Sequence, residues 1–112
     1  MKLAVPTKED KGLDDSVSDV FGKAETFTIL EITNSSIVNV EAVRNPAASY
    51  KHGSGPIVAK MLTDMKVKAV AAKEFGLGAS TLLEQNKKLK IKAKIPVKEA
   101  VQNIIKELKE QA

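Results

Sequence analysis

The sequence predicts a single α/β domain, a mixed five-stranded sheet of order 3-2-1-4-5 flanked by three helices. Three observations predict it. A chain of 112 residues is long enough to bury one core and too short for two. Its first half carries a hairpin rich in β-branched residues, and its second half alternates helix-period with strand-period apolar runs. Crossover helices make the strands they join parallel, whereas a hairpin adds antiparallel neighbours, so the sheet is mixed.

Leu3-Ala4-Val5, closed by Pro6, reads as a buried first strand. The connection from Thr7 to Gly22 is long for so small a domain, and such loops are functional or mobile. Within it, Asp15 to Phe21 is expected to form one helical turn with Val17, Val20 and Phe21 facing inward. Thr26 to Thr33 and Ile37 to Arg44, separated by Asn34-Ser35-Ser36, make the hairpin. Val38, Val40 and Ala42 alternate with Asn39 and Glu41, which gives the third strand one wet face and an edge position. Asn45 to Gly55 is a loop. Pro56 then opens a helix whose apolar stripe is Val58, Met61, Leu62 and Met65.

Val67 to Ala72 is the buried fourth strand, Gly76 and Gly78 punctuate the entry to a short helix carrying Ala79, Leu82 and Leu83, and Leu89-Lys90-Ile91 is the fifth strand. The last helix has the clearest period. Val97, Ala100, Val101, Ile104, Ile105 and Leu108 share one face, and Lys98, Lys106, Lys109 and Glu110 the other. In this order the crevice between strands 1 and 4 is a topological switch point, where ligands bind outside the carboxyl ends of the strands. Thr7 onward and Lys73 to Gly78 reach it.

The segment richest in chemistry is His52-Gly53-Ser54-Gly55-Pro56, a histidine in a glycine-rich turn running into a helix. Glycines let backbone N–H groups approach a ligand, and the unpaired N–H groups and dipole of the first helical turn favour an anion. The imidazole is then a metal ligand or a donor to that anion. A plainer alternative stands beside this: Ser54 caps the helix, the glycines shape a turn and His52 is a surface residue. Gly76-Leu77-Gly78 repeats the arrangement more weakly. It lacks the third glycine of a dinucleotide fingerprint, and no phosphate-loop motif occurs, so nucleotide hydrolysis has no support. Asp14, Asp15 and Asp19 lack calcium-loop spacing and read as solvated carboxylates. No G-x-S-x-G elbow is present, and the chain reads as a binder, not an enzyme.

Composition narrows the binder. With no Trp, one Tyr and three Phe, the core is aliphatic and stacking platforms have nothing to be built from. With no Cys, disulfides, thiolate zinc sites, protein-ligated iron–sulfur clusters and cysteine nucleophiles are excluded. No run approaches the roughly eighteen apolar residues of a membrane helix. Met1-Lys2 leads straight into a strand, so a cytoplasmic protein is expected. The net charge of +4 is uneven: residues 1–86 hold 10 Lys/Arg against 11 Asp/Glu, and residues 87–112 hold 8 Lys against 3 Glu. Lys87, Lys88, Lys90, Lys92 and Lys94 alternate around Leu89, Ile91, Ala93 and Ile95, as a strand with a solvated, solubilising face does. A single Arg and no interleaved aromatics argue against a nucleic-acid partner.

The ordered series Lys2-Leu3-Ala4-Val5-Pro6-Thr7, Leu13 to Ala24 with Phe27, Asn45-Pro46, His52 to Pro56, and Ile95 to Ala100 resembles the dinitrogenase iron–molybdenum cofactor-binding (cofactor biosynthesis) family. These are small archaeal and bacterial domains of ribonuclease H-like fold. The resemblance implies a non-enzymatic binder or carrier of an anionic iron/molybdenum-sulfide cluster or its precursor, with a cluster donor or acceptor protein as partner. Members often carry a histidine where this chain has Val20, and a Gly-Pro-Asn-like turn where it has Phe75-Gly76-Leu77-Gly78, which leaves His52 as the only imidazole. A chain without thiolates needs cargo that brings its own sulfide. Such an anion suits glycine amides, a helix amino end and lysines. The expected site is therefore His52 as metal ligand with Gly53, Ser54, Gly55, Thr7, Lys8, Lys73, Gly76 and Gly78. The competing expectation is a regulatory or interaction domain that binds a phosphorylated metabolite in the same crevice. A nuclease is disfavoured because Leu3-Ala4-Val5 offers no carboxylate for two metals.

Overall fold

In chain order the elements are β1 (Lys2–Thr7), a 3₁₀ turn (Gly12–Asp14), β2 (Thr26–Thr33), β3 (Ser36–Arg44), α1 (Ser54–Asp64), β4 (Ala69–Ala72), β5 (Lys87–Lys90) and α2 (Val97–Gln111). This computed structural model describes residues 1–51, 53–75 and 86–111, with the backbone alone at 108, 110 and 111. The five strands form one sheet of order β3-β2-β1-β4-β5, the expected one. β1 pairs antiparallel with β2 and parallel with β4, and β5 runs parallel to β4. Among the described residues there are two α-helices, not three; the expected middle helix, with Ala79, Leu82 and Leu83, lies outside them.

The period of each strand decides which helix it meets. Ala4, Phe27, Ile29, Val70 and Ala72 face Val58, Ala59 and Leu62 of α1, while Leu3, Val5, Leu30, Ala69 and Ala71 face Val97, Ala100, Val101 and Ile104 of α2. The hairpin turns on Asn34 and Ser35, whose φ of 51° and 65° suit the right-handed strand twist. The third strand departs from simple alternation. A bulge pairs Ile32 with Ile37 and Glu31 with Asn39, so Val38 is the extra residue and is 60% exposed. Its partly buried residues are Ile37 and Val40, which the bulge sets on the α2 face, and Val43 on the α1 face, not Val38, Val40 and Ala42.

Helix α1 ends in a hydrogen-bonded reversal. Lys66 N–H donates to Thr63 and Val67 N–H to Leu62, with Lys66 at φ 64° in the place glycine usually takes. The run of alternating lysines also stops being a strand early. Ile91 N–H still donates to Ala72, but Lys94 adopts φ 66° and turns the chain into α2.

Candidate functional site

Because β1, β4 and β5 are parallel, their carboxyl ends lie along one margin of the sheet, and the segment Thr7 to Gly22 crosses that margin. It forms no helical turn over Asp15–Phe21. Instead it is extended and stapled: Ser18 N–H donates to Pro6 (2.9 Å), Val17 N–H to Ile95 (2.9 Å), Lys94 N–H to Val17 (2.8 Å) and Val97 N–H to Asp15 (2.8 Å). Without a helical period Val17, Val20 and Phe21 do not share a face. Val17 and Phe21 are buried, whereas Val20, expected to point inward, is 49% exposed.

Two side chains hold this segment. Asp15, read above as solvated, is buried; it accepts N–H groups from Ser16 (2.8 Å), Glu9 (3.0 Å) and Lys11 (3.3 Å). Three backbone donors around one carboxylate make it an internal anchor. Asp14 and Asp19 are exposed, as expected. Thr28 donates to Thr7 (3.1 Å), Thr7 to Thr26 (2.6 Å), and Thr26 to the carbonyl of Glu9. That last bond occupies the Thr26 proton, which sets the direction of the chain. Thr7 is thus fully buried, with its hydroxyl used inside the protein.

At its far end the segment meets both other loops. The Phe21 ring lies 5.2 Å from Phe27 and 5.2 Å from Phe75, the residue just beyond β4's exit. Gly22 abuts the start of α1, where a Cβ added to it would come within 2.8 Å of Ser54 Oγ. Asn45, buried, donates to the carbonyls of Gly22 (2.9 Å) and Ala24 (2.8 Å) and accepts Ala47 N–H (2.9 Å). Lys23 Nζ donates to Lys51 (2.9 Å).

Gly53, at φ 77°, occupies the N-cap position of α1 with no side-chain cap, and among the described residues nothing beyond its chain neighbours lies within 4 Å of the place a Cβ would take. Ser54 is therefore the first helical residue, not the cap. Glycine has no side chain to cap the first N–H groups of α1, and among the described residues no other side chain bonds to them.

Of the expected site residues, Gly53, Ser54 and Gly55 stand together beside Gly22. His52, Gly76 and Gly78 lie outside the described residues. Among the described residues, Lys8 and Lys73 line different grooves. Lys8 is exposed among Glu9, Asp10, Glu25 and Arg44 at the β2–β3 side of the sheet margin. Nearby, Glu9 raises the Lys11 ammonium above its usual value, first by a hydrogen bond and then by charge. Lys73 instead lines a groove of about 390 Å³ with Asp19, Ile91, Lys92, Ala93 and Lys94. Lys92 and Lys94 are expected only to solubilise a strand; the parallel register of β4 and β5 sets Lys92 beside Lys73, and the left-handed turn at Lys94 keeps the next lysine in the same groove.

The dinitrogenase iron-molybdenum cofactor family matches residues 1–110 of this chain. The chain belongs to that family. An uncharacterized protein of Methanocaldococcus jannaschii is 33% identical over 85 residues, 76% of this chain and 68% of that one. Among solved structures, a Thermotoga protein provisionally described as NifB is similar with a TM-score of 0.77 and 33% identity over 94% of this chain and 87% of its own. The apo form of the orange protein from Desulfovibrio gigas is similar with a TM-score of 0.83 and 25% identity, over 95% and 88% of the two chains.

Among the described residues, no three His, Asp or Glu side chains gather closely enough to hold a metal ion. Cysteine is absent throughout. What the sheet margin does offer is amide and ammonium groups, which fit an anion that arrives with its metal already ligated by sulfide. No helix among the described residues is long and apolar enough to cross a membrane.

Proposed function

We propose that this family member binds and carries, without catalysing a reaction, an anionic iron- or molybdenum-sulfide cluster or its precursor, exchanging it with a donor or acceptor protein. The observation that carries the reading is the amino end of α1, which has no side-chain cap, rests against Gly22 and, among the described residues, has nothing within 4 Å of a Cβ placed on Gly53. Free N–H groups and the helix dipole favour negative charge there. His52 immediately precedes Gly53 in the sequence and supplies the one imidazole for a terminal metal. Family membership supports a molybdenum–iron cargo in particular.

Anaerobic reconstitution with iron, molybdate and sulfide, followed by visible absorption and elemental analysis, tests it. The expected result is a coloured complex of fixed stoichiometry. Retention should fall in His52→Ala with the fold intact, since Lys51 and Gly53 on either side are exposed. A His52→Ala protein that holds as much metal as the parent removes the ligand role. A colourless parent that phosphorylated metabolites stabilise against heat transfers the crevice to the competing reading.

A further inference from the structure

Under the carrier reading, on which this inference rests, a sulfide-rich anion needs a seat for its charge. We propose that the seat is the groove between the ends of β4 and β5, walled by Lys73, Lys92 and Lys94 over Ile91 and Ala93. Its charge is little compensated. Among the described residues, neither Lys73 nor Lys92 has a carboxylate within 4.0 Å, and Asp19 stands 4.0 Å from Lys94 with both side chains largely exposed. Lys90 reaches the carbonyl of Lys73 at 3.4 Å and adds a fourth ammonium at the rim.

The frame of the groove is fixed. Ile91 is bonded to Ala72, and Lys94 and Ile95 to Val17. Lys94 holds φ 66°, which disfavours any residue but glycine, so a charged side chain stands where backbone sterics favour none. The chemistry of the walls selects the ligand class. Fixed N–H donors, as at the α1 site, serve phosphate and iron–sulfur clusters alike, so what distinguishes the groove is its aliphatic lining. A sulfide-covered cluster spreads its charge over soft, weakly hydrated atoms and suits an aliphatic floor with ammonium groups around it. The groove also adjoins the α1 site: Asp19 on its wall is three residues before Gly22, at most about 10 Å of chain.

The test is an anaerobic titration with tetrathiomolybdate, read by visible absorption, on the parent, on K73Q/K92Q/K94Q, and on K98Q/K106Q/K109Q, which removes equal charge from α2. The groove variant should bind about tenfold more weakly and the α2 variant within about twofold of the parent. A matched pair separates charge from strain. Lys94→Gly and Lys66→Gly each relieve a left-handed lysine, at φ 66° and 64°, and remove one charge. Both should raise the melting temperature, and only Lys94→Gly should weaken binding. Equal weakening in the two triple variants, or a groove variant that binds like the parent, overturns the groove and leaves the carrier reading standing. Competition by inorganic phosphate at equal concentration overturns the sulfide assignment. A parent that does not bind tetrathiomolybdate overturns the proposal, and only a colourless reconstitution as well removes the carrier reading.

Discussion

Asn45 is the side chain on which the geometry of the α1 site depends most directly, and its replacement has a calculable cost. Asn45→Ala leaves the carbonyls of Gly22 and Ala24 and the N–H of Ala47 without their partner. Ala24 and Ala47 are 1% and 0% exposed, so water does not reach their groups, whereas half-buried Gly22 recovers a partner. Two buried orphans at about 1–2 kcal/mol each, plus about 0.5 kcal/mol for Gly22, give a loss of about 2.5–4.5 kcal/mol. That is a large part of the roughly 5–15 kcal/mol that holds a domain of this size together. Asn45→Asp keeps the acceptor for Ala47 but turns a carboxylate oxygen toward two carbonyls. Its folded-state pKa therefore lies above the unfolded value of about 3.9, because only the protonated form donates. With the folded pKa raised, its stability relative to Asn45→Ala is greatest below the unfolded pKa and is lost as pH rises through the folded one. Urea unfolding followed by circular dichroism, at about pH 4 and pH 7, measures both effects. A loss under about 1 kcal/mol in Asn45→Ala, or a gap between the two variants that does not change with pH, refutes the anchoring role.

Ile104→Asp places a carboxylate at a position that is 1% exposed on the buried face of α2 and should unfold the domain, at a cost of several kcal/mol. A melting temperature equal to the parent's contradicts the packing of that helix. Gly22→Ala, whose Cβ meets Ser54 Oγ at 2.8 Å, should lose about 1 kcal/mol, and most of this should return in the Ser54→Ala background. Additive losses in that double-mutant cycle mean that Gly22 does not rest on α1.

The sheet was legible because its order follows from a few local signals. A β-branched hairpin, two buried apolar runs, a short strand among lysines and the right-handedness of crossovers leave few other arrangements, and the observed order is β3-β2-β1-β4-β5. The site was legible only where glycines mark it, at Gly53 and Gly55. Asp15 looks like its exposed neighbour Asp14 in sequence, and only the fold of the chain around it makes it a buried acceptor of backbone N–H groups. Val20 was misjudged because a helical period was assumed for a segment that is extended. Val38 was misjudged because a bulge shifts the phase of a strand without leaving a mark in composition. Lys92 and Lys94 continue a perfect alternation, and their groove needs both the β4–β5 register and a left-handed turn that no glycine announces.

Val38 apart, these residues and the anchors around them belong to one physical problem. A segment of sixteen residues, Thr7 to Gly22, crosses the sheet margin in a chain with no cysteine to tie it down. Ordering it costs about 1–2 kcal/mol per residue in backbone entropy, which only contacts made on folding can offset. Its anchors are of two kinds. Val17 and Phe21 enter opposite faces of the sheet and supply apolar burial. Asp15, the threonine chain through Thr7, and Asn45 satisfy the backbone groups that this burial removes from water. Neither kind suffices alone, since buried polar groups without partners cost what the apolar contacts give. Together they place Gly22 on α1 and Asp19 on the lysine groove as part of folding itself. A ligand at either place then meets surfaces already ordered, so its affinity is not reduced by the entropy of fixing the loop.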